Sequence, residues 1–149
     1  MIEINPIDCP YYLISRVTLV VTSALKKGFS ETGVAPIKPA YLGVLLTLWR
    51  EDGLKVIDLG RKAGLEPSTM TGLLDRMERD ALLYREADPS DRRAQRIYLT
   101  ATGRETEVPV LKVVDEVLAE VFKGIDEKEI GNTKNVLQRV LTNAQEGNR

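Results

Sequence analysis

The sequence predicts a mainly α-helical protein with one small β-hairpin. Two short runs, Leu83–Ala87 and Gln95–Leu99, alternate large or β-branched residues with polar ones, and a charged turn from Asp88 to Ala94 separates them. In the remainder of the chain, apolar residues recur at the three- and four-residue spacing of helices. A hairpin that projects from a helical body is therefore expected.

Four helices are predicted before the hairpin, over residues 11–27, 39–51, 56–63 and 67–81. Gly28 is expected to end the first helix, and Gly64 the third. The second helix leaves almost no polar face, so it is expected to be buried on nearly all sides at the centre of the core. Leu54 is expected to add a strand of one or two residues to the hairpin.

The fourth helix has one apolar and one polar face. The apolar stripe, expected to be buried, consists of Met70, Leu73, Leu74 and Met77. The opposite face carries the candidate DNA contacts of this helix, which are Ser68, Thr69, Thr71, Gly72, Arg76 and Arg79. Small and hydroxyl-bearing residues allow close approach to a major groove, and arginine can reach phosphate or guanine. This face is predicted to bind double-stranded DNA.

The hairpin and the helix before it resemble the MarR family (multiple antibiotic resistance regulators). Asp91-x-Arg93, followed by Leu99-Thr100-x-x-Gly103, is similar to the family's wing signature, and the segment 73–78 is similar to its recognition helix. The resemblance covers the chain from about Arg16 to the C-terminus. It implies a homodimeric winged helix-turn-helix regulator whose fourth helix enters the major groove.

The wing itself is expected to contact DNA through Asp91, Arg92, Arg93 and Arg96. By resemblance, Arg93 enters the minor groove of an A·T-rich flank, and Asp91 holds it in position. Arg92, Arg96 and Arg85 are expected to contact phosphates or to support the wing. The sequence departs from the family pattern at Gly72, which replaces a polar or basic residue, and at Ala81, which replaces a helix-ending glycine.

Two further helical regions follow the hairpin. Thr100 is a predicted N-cap for residues 100–122, where Pro109 should kink the helix or split off a first segment. Asp126 and Glu129 form a capping pair for a last helix that frays from Asn143. The predicted organisation is one domain over 1–149, with a DNA-binding region at 39–103 and dimerisation helices at 11–28 and 104–145, because the terminal helices carry more apolar surface than one small core absorbs.

Composition narrows the function classes. The 149-residue chain has a net charge of -1 and no histidine, which removes the commonest general base and metal ligand, and no nucleophile, metal triad or phosphate loop is recognisable. An enzyme is therefore not expected, nor is a cofactor or metal.

Segment 61–104 holds 9 Lys/Arg against 7 Asp/Glu, whereas 105–129 holds 3 against 8, which favours one local DNA-facing surface. The lack of a signal peptide or long apolar run predicts a cytoplasmic protein without membrane contact.

A small aromatic or carboxylate-bearing effector is expected between the dimerisation helices and the winged region. Its candidate contacts are Cys9, Tyr12, Arg16, Tyr41 and Trp49. Tyr41 and Trp49 are alternatively core residues, and Cys9 is alternatively an inert thiol. Two other functions stay open: a winged-helix interaction module that does not bind DNA, and a peroxide sensor that uses Cys9, as in the organic-hydroperoxide sensors of the resembled family.

Overall fold

A computed structural model describes residues 4–34 and 36–147. The elements in these ranges are the helices α1 (Pro10–Glu31), α2 (Leu42–Arg50), α3 (Val56–Ala63), α4 (Pro67–Arg79), α5 (Ala101–Glu105), α6 (Glu107–Val121) and α7 (Glu127–Gly147), the strands β1 (Leu54–Lys55), β2 (Leu83–Ala87) and β3 (Gln95–Leu99), and short 3₁₀ helices at Pro6–Asp8 and Pro39–Tyr41. This mainly helical fold with a small sheet confirms the predicted fold class. None of these helices combines the length and the apolarity of a membrane span.

The chain forms two compact units, of which the first extends to Val117 and the second begins at Leu118. The first unit contains α1 to α5, the sheet and most of α6, and the second contains the end of α6 and all of α7. The single domain over 1–149 remains a prediction.

The three strands form an antiparallel sheet in the order β1-β3-β2. Leu83 pairs with Leu99, and Leu54 pairs with Ile97, so these four side chains lie on one face of the sheet and are buried. The hairpin strands have the predicted bounds, and β1 is the predicted short strand at Leu54. The sheet with its long β2–β3 turn is the wing.

The core is built around α2 and the buried stripe of α4. Val44, Leu45 and Leu48 of α2 are at most 1% exposed, and the predicted α4 stripe is buried over its whole length. The expectation that α2 is enclosed on nearly all sides was wrong on one side, because Leu46 is 43% exposed. Gly64 ends α3 in the left-handed conformation, as predicted.

The first helix does not stop at Gly28 but continues to Glu31. Gly28 serves helix packing, because a Cβ at this position would lie 2.7 Å from Cγ1 of Val113 in α6. The missing side chain thus lets α1 and α6 approach closely. The turn comes later, at Gly33, which has a φ of 68°.

The junction after α4 also differs from expectation. The helix ends at Arg79, and Ala81 has a φ of 58°, a conformation usually reserved for glycine. Hydrogen bonds hold it there, since the Thr100 hydroxyl donates to the Ala81 carbonyl over 2.6 Å and the Leu82 N–H donates to the Met77 carbonyl. Ala81 therefore takes a glycine-type conformation, at the position where the resembled family usually has glycine, at a cost of about 1–2 kcal/mol.

The helices after the wing follow the predicted capping. The Thr100 hydroxyl accepts from the Gly103 N–H, and the helix is split at Thr106, shortly before Pro109. Asp126 caps the last helix by accepting from the Glu129 N–H. Contrary to the predicted fraying from Asn143, α7 continues to Gly147.

Candidate DNA-binding surface

The exposed face of α4 carries the residues that the sequence singled out. Ser68, Thr69, Thr71, Arg76 and Arg79 are exposed, and Gly72 is half-buried. A Cβ at Gly72 would touch only the Arg76 guanidinium, at 3.9 Å, so the Arg76 side chain folds back along the helix towards its N-terminal half. This brings a cation beside the small and hydroxyl-bearing residues that would press into a groove.

Arg85 supports the wing rather than extending from it. Its Nη2 donates to Oδ1 of Asp75 over 2.8 Å, and its side chain is 24% exposed. This ion pair joins β2 to the C-terminal half of α4. It thereby helps to set the angle between the fourth helix and the hairpin.

The wing tip is organised by Asp88. Its Oδ1 accepts from the backbone and hydroxyl of Ser90 and from the Asp91 N–H, and its Oδ2 accepts from Arg96. The two hydrogen bonds from Ser90, aided by Arg96, hold the pKa of Asp88 far below its ordinary value of 3.8. The sequence predicts only a turn at Asp88, because its hydrogen bonds depend on a fold that closes the tip around it.

Asp91 holds Arg93 through the backbone. The Arg93 N–H donates to Oδ1 of Asp91 over 3.0 Å, while the Arg93 side chain is exposed. Arg92 is exposed as well. Arg96 is engaged within the wing, because its Nε donates to Asp88 and its Nη1 donates to the Gly53 carbonyl.

The wing tip and α4 share one concave surface, a cleft of about 640 Å³ that we call the wing cleft. It is lined by Lys55, Val56, Ile57, Gly60, Arg61, Leu65, Pro67, Met70, Thr71, Arg93, Ala94 and Gln95. Thr71 of α4 and Arg93 of the wing thus face the same space. The charged residues of this lining are all basic: Lys55, Arg61 and Arg93. Lys55 and Arg61 were missed as candidates, although the local excess of basic residues from position 61 onwards was a signal for Arg61.

The predicted effector residues occupy separate environments. Tyr12 and Arg16 are exposed on α1, and Cys9 is half-buried at the start of that helix, where its thiol makes no capping hydrogen bond. Tyr41 is fully buried, and Trp49 donates from Nε1 to the Gly103 carbonyl over 3.0 Å. The wing cleft and a second cavity of about 520 Å³, beside Arg50 and Lys62, contain none of the five. The effector pocket stays a prediction.

Tyr41 connects α2 to the end of α4. Its hydroxyl donates to Oδ2 of Asp80 over 2.6 Å. Burial, and then this hydrogen bond, raises the pKa of Tyr41 from 10.0 to about 12. The phenol is therefore part of the core and anchors the C-terminal end of the candidate recognition helix.

Alkaline conditions are expected to destabilise the fold through Tyr41. The Tyr41 phenol loses its proton near pH 10.0 in the unfolded chain and near pH 12 in the folded chain. The stability that the protonated phenol contributes is therefore complete below pH 10 and is lost as the pH rises through 12. Tyr41→Phe should be less stable at pH 7 by about 1 kcal/mol, because Asp80 loses a donor, but should lose less stability between pH 10 and 12. Urea unfolding of both proteins over this interval tests this, and parallel pH dependences would contradict it.

These features define a winged helix-turn-helix protein with a basic cleft between α4 and the wing. A family model described as MarR family matches residues 37–94. The chain is 31% identical over 117 residues to an uncharacterized HTH-type transcriptional regulator, YsmB of Bacillus subtilis, with 78% of each protein covered. It is 44% identical over 66 residues to the HTH-type transcriptional regulator TtmR of Methylorubrum extorquens, covering 44% of this chain and 33% of that protein. The chain belongs to the MarR family, whose members are transcriptional regulators and not enzymes.

Solved structures agree with this membership. The chain is similar to CouR from Rhodococcus jostii bound to p-coumaroyl-CoA, with 25% identity, a TM-score of 0.78, and coverage of 93% of this chain and 95% of that one. It is similar to reduced AbfR bound to DNA, with 26% identity, a TM-score of 0.75, and coverage of 93% and 91%. The resemblance stated from the sequence is thereby confirmed.

Proposed function

We propose that this protein is a ligand-responsive transcriptional repressor that binds a pseudopalindromic operator as a homodimer. The observation that carries the proposal is the shared wing cleft. Because Thr71 of α4 and Arg93 of the wing line it together, one face of the protein presents both the helix for a major groove and the arginine for the adjacent minor groove. The DNA-bound AbfR neighbour supports this use of the fold.

The homodimer is supported by apolar surface that the chain leaves uncovered. On α1, Leu13, Val17 and Val20 are between 45% and 60% exposed. The last helix, α7, buries none of its residues and exposes Val136, Leu137, Val140 and Leu141. Several apolar side chains exposed along one helix are typical of a surface that a partner subunit covers. A two-fold dimer would place the recognition helices about one DNA turn, ~10 bp, apart.

The effector is proposed to be a small aromatic or carboxylate-bearing molecule, bound near Cys9, Tyr12, Arg16, Tyr41 and Trp49. The ligand-bound CouR neighbour supports the idea of an effector. Binding between dimerisation and winged elements would change the separation of the two recognition helices, so that they no longer fit successive major grooves.

Arg93→Ala is expected to weaken operator binding by roughly 1–3 kcal/mol. The guanidinium gains from the focused phosphate potential of a narrow minor groove, so its loss should also flatten the preference for A·T flanks and lower the salt slope by about one. The measurement is fluorescence anisotropy at several salt concentrations, on an operator obtained by selection from random DNA with the parent protein.

Three other results of these binding experiments would contradict the proposal or favour an alternative function. Unchanged affinity and unchanged flanking preference in Arg93→Ala would make the wing a solvated hairpin. No salt-sensitive binding of any selected DNA by the parent protein would favour the interaction module. Release of operator by peroxide from the parent protein, but not from Cys9→Ser, would make the regulator a thiol sensor.

A further inference from the structure

Asp88 is the only buried charged residue in ranges 4–34 and 36–147, and it lies at the tip of a hairpin. Its side chain is 0% exposed. Removing a carboxylate from water is unfavourable unless hydrogen bonds and a counter-charge replace the lost hydration. An ordinary solvent-exposed turn does not require a buried carboxylate. The burial of Asp88 therefore indicates that the hairpin tip is held in one conformation.

The hydrogen bonds around Asp88 specify that conformation. Oδ1 accepts from the Ser90 N–H, the Ser90 hydroxyl and the Asp91 N–H at 2.9, 2.8 and 3.0 Å. The Asp88 N–H donates across the tip to the Ala94 carbonyl over 3.0 Å. The turn is therefore closed by its own carboxylate rather than by a tight two-residue hairpin.

Arg96 attaches this closed tip to the rest of the domain. Its Nε donates to Oδ2 of Asp88 over 2.5 Å, and its Nη1 donates to the Gly53 carbonyl over 2.8 Å. Gly53 lies in the turn before β1, where Asp52 accepts from the Leu99 N–H over 2.9 Å. One guanidinium thus bridges the wing tip and the base of the sheet.

We propose that Asp88 and Arg96 form a latch that positions the wing tip for DNA, and that Arg96 is a positioning residue rather than a DNA contact. The latch acts on Arg93 through two steps: Asp88 holds the Asp91 backbone, and Asp91 holds the Arg93 backbone over 3.0 Å. Arg93 then extends from an ordered turn and loses less conformational entropy on docking. The inference rests on the proposed DNA binding of the wing.

Arg96→Lys separates the two roles of this residue. A lysine keeps the positive charge for a phosphate but cannot donate to Asp88 and Gly53 from a planar fork. If Arg96 positions the tip, the variant should lose operator affinity between about 5- and 150-fold, the range expected for Arg93→Ala. The two changes should also be strongly non-additive, because each removes the same docked arginine. Anisotropy titrations of the parent protein, the two single variants and the double variant measure this coupling.

Arg104→Lys is the matched control, because Arg104 donates to Asp52 in an ion pair whose arginine side chain is 62% exposed. It is expected to bind operator as the parent protein does.

Hydrogen exchange of the free proteins gives a second measurement: the Ser90 and Asp91 amides should exchange faster in Arg96→Lys and in Asp88→Asn than in the parent protein. Parent-like affinity, additive effects with Arg93→Ala or unchanged exchange would each overturn the latch. Failure of the parent protein itself to bind DNA would instead overturn the proposed function.

Discussion

Replacing both Val17 and Val20 with glutamate is expected to lower operator affinity by about 10²- to 10⁴-fold. These residues are 60% and 56% exposed, so charged side chains there disturb the fold of one chain little. In a dimer interface, however, they would bury four unpaired carboxylates. Loss of the dimer removes the gain that comes from engaging two half-sites at once.

Sedimentation and DNA binding together test this prediction. The parent protein should sediment at twice its chain mass of 16.6 kDa, and the variant at that mass. On DNA with a single half-site, the two proteins should bind with similar low affinity, because only one winged unit is engaged. If the parent protein is already monomeric at micromolar concentration, or if the variant remains dimeric, α1 does not form the interface. Should the variant unfold, a concentration-dependent melting temperature of the parent protein would still report the obligate dimer.

Gly103→Ala is expected to destabilise the fold by about 3 kcal/mol or more. A Cβ at this position would lie 2.1 Å from the Leu82 carbonyl oxygen, a backbone atom that cannot rotate away. The same oxygen accepts from the Thr100 N–H over 3.1 Å, so relieving the clash would break the junction between wing and α5. The Gly103 carbonyl also accepts from Trp49. Overpacking of this kind ranks among the most damaging single substitutions.

Gly72→Ala provides the matched control for stability. Gly72 is also inside a helix, but its added Cβ would meet only the Arg76 guanidinium at 3.9 Å. This variant is expected to gain up to about 1 kcal/mol, because alanine has the higher helix propensity. Urea unfolding of the two variants and the parent protein measures both changes. A Gly103→Ala protein within 0.5 kcal/mol of the parent would show that the backbone relaxes at this junction.

The contrast between these glycines explains the Leu99-Thr100-x-x-Gly103 motif physically. Leu99 ends the buried face of β3, Thr100 caps α5, and Gly103 allows the helix to pass against the Leu82 carbonyl. The motif is thus a compact junction between the wing and the following helix. The motif is recognisable in the sequence because the end of the buried strand, the helix cap and the close backbone approach all fall within five consecutive residues.

The amino-acid sequence by itself determined the elements whose causes are local. Alternation set the bounds of β2 and β3, the spacing of Met70, Leu73, Leu74 and Met77 identified the buried side of α4, and Thr100 and Asp126 marked helix starts. These features depend on neighbours within a few residues, so strand and helix periodicity are enough to predict them.

Only the tertiary structure decided the features that depend on contacts between distant segments. The sequence predicts a helix stop at Gly28, but Val113, far along the chain, makes it a packing glycine inside α1. The sequence predicts only a turn at Asp88, but in the fold it is a buried charge paired with Arg96, which also donates to the Gly53 carbonyl. The wing cleft brings together Lys55 of β1, Thr71 of α4 and Arg93 of the β2–β3 turn. The spacing of apolar and polar residues predicts the helix or strand in which a residue lies. Its burial and its charge partners depend instead on which other elements fold against it.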